Sequence, residues 1–394
     1  MPPAGSVAVR TVINRLIPRT RCFGLMAAAL AAPWIGGCGS AAETDLHGGA
    51  RPDHPLLEIA ATEVMRSDAD SLLTSVSSLA VDSGGNIYLA DWLLREVLVL
   101  SSQGSVLRSI GREGDGPGEF RRVSSVQLLP GDTLVVFDRA LKRITVFAPG
   151  SSRIVQLAAL QPGSGFLPNA VLRARRSAAY VVTYSRPFAS WDGGGDDARR
   201  FNRLRLLDTE GGVIQDSLME VPFGDALVRR VLGGVTVGVH PFGRHGTILL
   251  TPDDRIASVW NDSVGASFFT LDGAPLSRFA YPARGAPVAA RELARMERQV
   301  SSDLVPALRE WRPRSWPVLR GAVMDDRGRL WLGLNSERSH RAEWAAYDRN
   351  GTYLGSAFFH PAFDLRAIRG GFAYGISVDE DDVPSVVVYR LDEG

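Results

Sequence analysis

A tight turn recurs along this chain, and its spacing restricts the possible folds more than any other feature. Each copy joins two short apolar runs, as Ser83-Gly84-Gly85-Asn86 does after Leu79–Val81. The copies lie near Ser83, Pro130, Arg175, Pro252, Asp325 and Arg369. Their separations are 47, 45, 77, 73 and 44 residues. A period of this length, interrupted by two insertions, is typical of a repeat architecture.

The repeat unit contains four short strands. Within Ser77–Gln103 three β-rich runs are separated by polar turns, and Val106–Ile110 adds a fourth. Four antiparallel strands joined by tight turns form one blade of a β-propeller. The pattern returns at 124–160, 171–221, 247–281, 318–359 and 365–391. The sequence therefore predicts an all-β fold, a six-bladed β-propeller.

The last repeat is one strand short. It contains three strand-like runs, at 365–369, 372–378 and 385–391, where the others contain four. The segment Leu56–Ala60 precedes the first blade and has no partner of its own. Pairing it with the last blade closes the ring and covers a sheet edge that would otherwise invite aggregation. We therefore expect an N-terminal strand to close blade six.

The insertion between blades four and five is predicted to contain a short helix, from about Val288 to Val300. Leu293, Met296 and Val300 fall on one side of a helical wheel, and Arg291, Arg295 and Arg298 fall on the other. We expect the apolar side to face the propeller and the arginines to face solvent. Two roles remain open, a plug over apolar channel residues and a lid over a ligand site.

Two motifs resemble known propellers. The linker Gly111–Phe120 and the turns Asp82–Ile87 and Asp325–Leu330 are similar to those of NHL-repeat and TolB-like propellers, including bacterial propeller lipoproteins. The resemblance spans residues 56–391 and implies a fold and a binding role. Gluconolactonase-like hydrolases begin blade one with a metal-binding glutamate. This chain has Ser75-Val76-Ser77-Ser78 there, which argues against that activity.

The N-terminal segment is predicted to direct export. Four arginines precede an uncharged stretch from Phe23 to Ile35, as in a signal peptide. Ile35–Cys38 resembles the bacterial lipobox, which implies acylation of Cys38. We expect a lipoprotein signal peptide at 1–37, a flexible tether at 38–55 and the propeller at 56–394. Cleavage near Ser40–Ala42 or retention of an uncleaved anchor are the alternatives.

Location and partners follow from the resemblance and from charge. Gly39 follows the lipobox where the family uses Asp for inner-membrane retention, so the outer membrane or cell surface is expected. Basic and acidic residues number 44 and 43, which gives no basic field for nucleic acid. We therefore expect a bacterial envelope protein, monomeric and attached to the membrane through its lipid, that binds no nucleic acid.

One face of the propeller is predicted to carry the function. Loops joining second to third strands, and those joining successive blades, emerge on the same face, and both insertions fall there. Tryptophans on such loops can stack on sugars or bind peptides, although packing beneath the insertion is more common. The candidate binding residues are Trp92, Arg139, Arg186, Trp191, His240, Asn261, Arg291, Arg295, Arg298, Asn335 and His340.

Several polar groups on this face also have structural interpretations. Asp91, Asp138, Asn261, Asn335 and Asp379 each follow a second strand, where such side chains usually accept hydrogen bonds within the turn. The alternative is a metal at the channel mouth. Glu380–Asp382 is a candidate calcium site, although it lacks a calcium-loop pattern. His240, His245, His340 and His360 are candidate metal ligands only if folding brings them together.

The leading functional hypothesis is a lipid-anchored, non-catalytic module that binds or scaffolds a protein, peptide or glycan in the envelope, without a cofactor. Neither the G-x-S-x-G nor the H-E-x-x-H pattern occurs in the sequence. The alternative is a metal-dependent hydrolase or lyase with its site at the channel mouth.

Overall fold

Four-stranded antiparallel sheets recur along the chain. The computed structural model describes residues 56–67, 73–148, 151–158, 166–185, 199–231, 234–312, 314–335, 341–379 and 383–392. Blade one contains β2 (Val76–Val81), β3 (Ile87–Asp91), β4 (Glu96–Leu100) and β5 (Val106–Ile110). Blade two contains β6 (Val123–Leu128), β7 (Leu134–Asp138), β8 (Arg143–Ala148) and β9 (Ser151–Gln156). Both begin and end close to the predicted positions.

The third and fourth blades flank the first insertion. Blade three contains β10 (Leu167–Arg173), β11 (Tyr180–Ser185), β12 (Arg199–Leu207) and β13 (Val213–Val231). The end of β13 continues beyond the blade and pairs with β14 (Gly234–Val239) in a hairpin. Blade four contains β15 (Gly246–Leu250), β16 (Ile256–Trp260), β17 (Val264–Phe269) and β18 (Pro275–Tyr281).

The predicted helix lies between blades four and five. This insertion contains α1 (Ala290–Gln299), a 3₁₀ turn (Ser302–Leu304) and α2 (Val305–Glu310). Blade five contains β19 (Leu319–Met324), β20 (Leu330–Leu334), β21 (Ala342–Tyr347) and β22 (Tyr353–Phe359). Blade six contains β23 (Phe363–Arg369), β24 (Phe372–Val378) and β25 (Pro384–Asp392), with β1 (Glu58–Arg66) as its outer strand. No described helix is long and apolar enough to cross a membrane.

The N-terminal strand closes the ring, as predicted, but it begins and ends later than expected. Ala60 pairs antiparallel with Asp392 and Arg66 with Val387, so the ladder to β25 begins where the predicted strand Leu56–Ala60 ended. Before that, Glu58 and Ile59 pair in parallel with β22 of blade five. The polar part of the strand was missed because it lies at an exposed edge, where charged side chains are common.

The core is divided among the interfaces between blades. Second strands such as β3, β7 and β20 are buried throughout, which explains their continuous apolar sequences. Six apolar clusters each join one blade to the next. The cluster between the last and first blades contains Leu79, Leu98, Tyr374 and Val386. Packing therefore continues around the whole ring.

Candidate functional site

The two insertions pack against each other and form one cap on the face that was predicted to carry the function. Their shared apolar core contains Leu227 and Phe242 from the first insertion and Val288, Val300, Leu304 and Leu308 from the second. Leu293 and Met296 of α1 pack against this cluster. The expectation that α1 lays its apolar side on the propeller is therefore wrong. A neighbouring insertion supplies the apolar surface instead.

Polar contacts also hold the cap together. The guanidinium of Arg244 donates to the Ser315 carbonyl (2.8 Å) and to the Ser315 Oγ (2.9 Å). Its Nε forms an ion pair with Asp262 of blade four (2.8 Å). At the start of α1, Glu292 accepts hydrogen bonds from the Ala289 N–H (2.9 Å) and the Trp316 indole (3.0 Å). The cap is thus connected within itself and to the propeller.

His240 is part of this cap and does not face a partner, contrary to the sequence-based prediction. Its side chain is 3% exposed. Nδ1 accepts the Phe242 N–H (3.1 Å), so Nε2 carries the proton and donates to the Trp311 carbonyl (2.8 Å). Burial lowers the pKa of His240 to about 4, and the charge of Arg244 adds to this shift. The imidazole is therefore a neutral structural bridge.

The three arginines of α1 are not equivalent. Arg291 and Arg298 are exposed, as predicted. Arg295 is half-buried and already interacts with another group, which corrects the expectation of three free cations. Trp311, at the end of α2, is 37% exposed and packs edge-on against His240 at 4.8 Å between ring centroids. Arg291, Arg298 and part of the Trp311 indole are therefore among the groups exposed on the cap.

A second basic group lies beside blades one and two on the same face. The Cζ atom of Arg122 lies 5.1 Å from the centre of the Trp92 ring, a cation–π geometry. Arg139 is accessible to solvent, yet surrounding protein lowers the pKa of its guanidinium and the charge of Arg122 lowers it further. The structure thus brings Trp92 and Arg139 together through Arg122. Arg122 was not among the residues predicted from the sequence, although it directly precedes β6.

Two aspartates of the predicted ring join the loop after the second strand to the segment before the first strand of the same blade. Asp91 is buried and accepts hydrogen bonds from the backbone N–H groups of Thr74, Ser75, Leu93 and Leu94 and from the Thr74 hydroxyl, at 2.8–3.0 Å. Asp138 accepts the N–H groups of Arg121 (2.7 Å), Arg122 (3.0 Å) and Leu141 (2.9 Å). The structural interpretation of these two residues is correct.

The remaining members of the ring also bind the backbone. Asn261 accepts the His245 N–H at 2.8 Å, and Asp379 accepts the Val383 N–H at 2.8 Å. Asn335 differs, because its amide donates to the Pro317 carbonyl (3.2 Å) where an acceptor was expected. The side-chain amides of Asn261 and Asn335 hydrogen-bond to the backbone of the propeller. Their assignment as binding residues is therefore corrected to a structural role.

The histidines that the structure describes do not converge. His245 contacts Asn261, and His360 is exposed and accepts the Ala362 N–H at 3.2 Å, while His240 lies inside the cap. In the described part of the chain, no three histidine, cysteine or carboxylate residues are grouped as metal ligands would be. Cys38, Arg186, Trp191, His340 and Glu380–Asp382 lie outside the described residues, so those predictions remain predictions.

The glycine-rich linker between blades one and two is a structural turn. Buried Arg143 donates to the carbonyls of Asp115 (2.7 Å), Gly116 (2.6 Å) and Glu119 (2.6 Å). Glu119 in turn accepts the Gly116 N–H at 2.8 Å. Gly111 has φ of 90° and lies against the buried Phe120 ring, where a Cβ would clash. These contacts account for the sequence of the linker without a ligand.

A match to a protein-family model supports this architecture. A family model described as a 6-bladed beta-propeller matches residues 67–154, which hold blade one and all but the last two residues of blade two. The chain is a six-bladed β-propeller. A solved gluconolactonase from Xanthomonas campestris aligns with 86% of this chain and 99% of its own chain, at 13% identity and a TM-score of 0.47.

A second solved structure is similar to a comparable degree. The calcium-binding protein regucalcin from Agrobacterium tumefaciens aligns with 86% of this chain and 97% of its own chain, at 10% identity and a TM-score of 0.45. No curated protein matches the sequence. These similarities assign no activity to this propeller.

Proposed function

We propose that this propeller is a lipid-anchored module of the bacterial cell envelope that binds an acidic protein, peptide or glycan through its cap. The observation that carries the proposal is the cap itself. Two insertions from different blades share one apolar core, and Arg291 and Arg298 remain exposed on α1. A structured element that is not needed to close the ring is typical of a recognition surface on a rigid scaffold.

The charge of this face sets the chemistry of the partner. Arg291 and Arg298 lie on the cap, and the Trp92, Arg122 and Arg139 group lies beside blades one and two. Arginine binds carboxylates through a planar fork of donors, and it stacks on aromatic rings. We therefore favour a partner with exposed carboxylates, either acidic side chains or acidic sugars.

The proposed anchor would hold the module at the membrane while the cap binds. Residues 38–55 precede the closing strand, which begins at Glu58 on the outer edge of the ring. A tether that enters at the edge obstructs neither face of the propeller. Two or more acyl chains at Cys38 would provide lasting attachment, whereas a single chain would not.

The metal-dependent hydrolase or lyase alternative relied on the ring of polar side chains at the channel mouth. Asp91 and Asp138 accept hydrogen bonds from the backbone just before β2 and just before β6, so their carboxylates are already engaged. Ser75–Ser78 contains no glutamate at the start of blade one. A binding role for the cap gives a reason for the two insertions on this face. A catalytic site built on the polar ring gives no such reason.

The test compares two pairs of arginines. Arg291→Gln combined with Arg298→Gln removes charge from the cap and keeps helix propensity nearly constant. Arg108→Gln combined with Arg349→Gln is the matched control, because both residues are exposed and lie on blades one and five. Envelope proteins captured by the immobilised wild-type chain are identified by mass spectrometry, and the affinity of the best-enriched partner is then measured.

We expect the cap pair to weaken binding about tenfold, mainly through slower association, and to reduce its salt dependence. The control pair should leave both properties unchanged. Equal affinity for the wild type and the cap pair at low and moderate salt would refute the proposal, and so would equal losses in the cap and control pairs.

A further inference from the structure

The two insertions that form the cap are the most basic part of the propeller. Residues 222–246 and 282–316 together contain ten arginines and five acidic residues. Asp262 of blade four adds a sixth carboxylate, because it pairs with Arg244 of the cap (2.8 Å). From residue 56 onward, the chain outside the two insertions has 29 basic and 35 acidic residues. The excess of positive charge therefore belongs to the cap and not to the ring.

One exposed segment of the cap combines these charges with an aromatic ring. The segment follows from the end of α2, and its exposed residues are Arg309, Glu310, Trp311, Arg312 and Arg314. Arg309 forms an ion pair with Glu297 of α1 (2.8 Å). The segment and its ion-pair partner thus contain three arginines and two carboxylates. A partly exposed indole lies among them, 37% exposed.

The backbone of this segment is fixed at both ends. The Trp311 N–H donates to the Ala307 carbonyl (2.9 Å) and ends α2. The Trp311 carbonyl accepts the proton of the buried His240 Nε2 (2.8 Å). Further along, the Arg314 carbonyl accepts the Val288 N–H (3.1 Å). The exposed side chains therefore project from an ordered support.

The indole of Trp311 is supported from inside the cap. Its ring packs against the His240 imidazole at 4.8 Å between centroids, with the two planes at 77°. The imidazole is itself held by two hydrogen bonds and packs against Phe242, 6.3 Å between centroids. A side chain that is already ordered loses less conformational entropy when a ligand binds. Tryptophan and arginine are also the residue types that most often dominate binding energies.

The combination of groups indicates the chemistry of the ligand. A sugar that carries a carboxylate offers an apolar C–H face and an anion in the same ring. The C–H face can stack on an indole, and the carboxylate can accept two N–H groups of one guanidinium. An acidic peptide also supplies carboxylates, but the side chains that carry them have no ring face to cover an indole. The segment therefore favours an acidic glycan over an acidic peptide.

We propose that Trp311, Arg312 and Arg314 form a subsite for a uronate unit of an acidic glycan. The proposal rests on the function proposed above for the cap, and it selects one of the three classes of partner named there. Trp311 stacks on the sugar ring, and the two arginines bind its carboxylate. Arg298 follows Glu297, which pairs with Arg309, so α1 brings a further cation near the same glycan chain.

Three probes of matched length test the subsite: hexagalacturonate, maltohexaose and hexaglutamate. Their binding to the purified protein is measured by calorimetry at matched ionic strength, because charge attraction depends on salt. We expect saturable binding of hexagalacturonate, weaker binding of hexaglutamate and none of maltohexaose. Hexagalacturonate should also change the tryptophan fluorescence of the wild type. That change should be absent from Trp311→Phe, which lacks the indole at the subsite.

Substitutions separate the ring from the charges. Trp311→Leu keeps an apolar side chain against His240 but removes the ring, so hexagalacturonate binding should weaken about tenfold while hexaglutamate binding stays unchanged. Trp311→Phe should retain part of the affinity. Arg312→Gln combined with Arg314→Gln should weaken binding of both acidic probes. Leu107→Ala is the control, because Leu107 is 55% exposed on the outer strand of blade one and should affect neither.

The proposal fails if hexagalacturonate does not bind at about 10 mM, ten times a millimolar Kd, or if Trp311→Leu binds it as the wild type does. Equal binding of maltohexaose would refute it as well, because the carboxylates would then contribute nothing. Binding of hexaglutamate alone would overturn the glycan subsite and leave the proposed function of the cap intact. That function is refuted separately, by unchanged partner binding in the Arg291→Gln and Arg298→Gln pair.

Discussion

Closure of the ring by β1 can be tested at Ile59. Its side chain is 7% exposed and packs with Phe359, Val387 and Leu391 in the cluster between blades five and six. Leu57, two residues earlier, is 59% exposed. Ile59→Ala and Leu57→Ala remove similar amounts of apolar side chain from the same segment. The difference between their effects on the free energy of unfolding therefore measures how far Ile59 is buried when the strand closes the ring.

Ile59→Ala should reduce the free energy of unfolding by about 3 kcal/mol. Burying such a side chain contributes roughly 1.5–3 kcal/mol, and a cavity adds to the loss, so that such substitutions cost about 2–5 kcal/mol. At about 2 °C per kcal/mol, the lower end of the range for larger domains, the melting temperature should fall by roughly 6 °C. Leu57→Ala should change the free energy by less than about 0.5 kcal/mol.

Urea unfolding followed by tryptophan fluorescence is the assay, because buried Trp331 and Trp344 belong to the same cluster as Ile59. If β1 does not close the ring in solution, Ile59 is as exposed as Leu57. Equal unfolding midpoints for the two variants would therefore refute the closure.

Two further predictions concern the cap and the anchor. The pKa of buried His240 is lowered from 6.5 to about 4, so between these pH values the unfolded chain binds more protons than the folded protein. The contribution of neutral His240 to stability is therefore complete above pH 6.5. The free energy of unfolding should fall by about 3 kcal/mol as the pH drops to 4. His240→Gln should show a smaller loss over this interval in urea unfolding than His360→Gln, and equal losses would contradict the assignment. Cys38→Ala should abolish labelling with a fatty-acid probe and release the protein from the membrane fraction. Continued labelling would place the acyl group elsewhere.

The number of blades and the closed ring could be predicted from the sequence. The first turn of each blade is formed by residues next to one another in the chain, as where Asp82 accepts the N–H groups of Gly84 (2.9 Å) and Asn86 (2.8 Å). Such local hydrogen bonds depend on the nearby sequence, so their spacing is visible before folding. The helix α1 was predictable for the same reason, since its apolar residues follow helical spacing.

The limits of β1 and the surroundings of α1 could not be predicted in this way. The charged half of β1, with Glu63 and Arg66 paired at 3.0 Å, does not have the sequence pattern of a buried strand. The apolar side of α1 predicts burial but does not identify what buries it. The first insertion covers it because both insertions leave the propeller on one face.

The candidate sites depended most on tertiary structure. Asp91 and His240 have the residue types of a binding site, yet folding uses them to hold a loop and a cap. Trp311 was visible in the sequence as a tryptophan of the second insertion, with arginines on both sides. The sequence alone determines that these residue types lie next to one another. Only the tertiary structure places His240 of the first insertion against the indole, because both insertions leave the ring on one face and pack against each other.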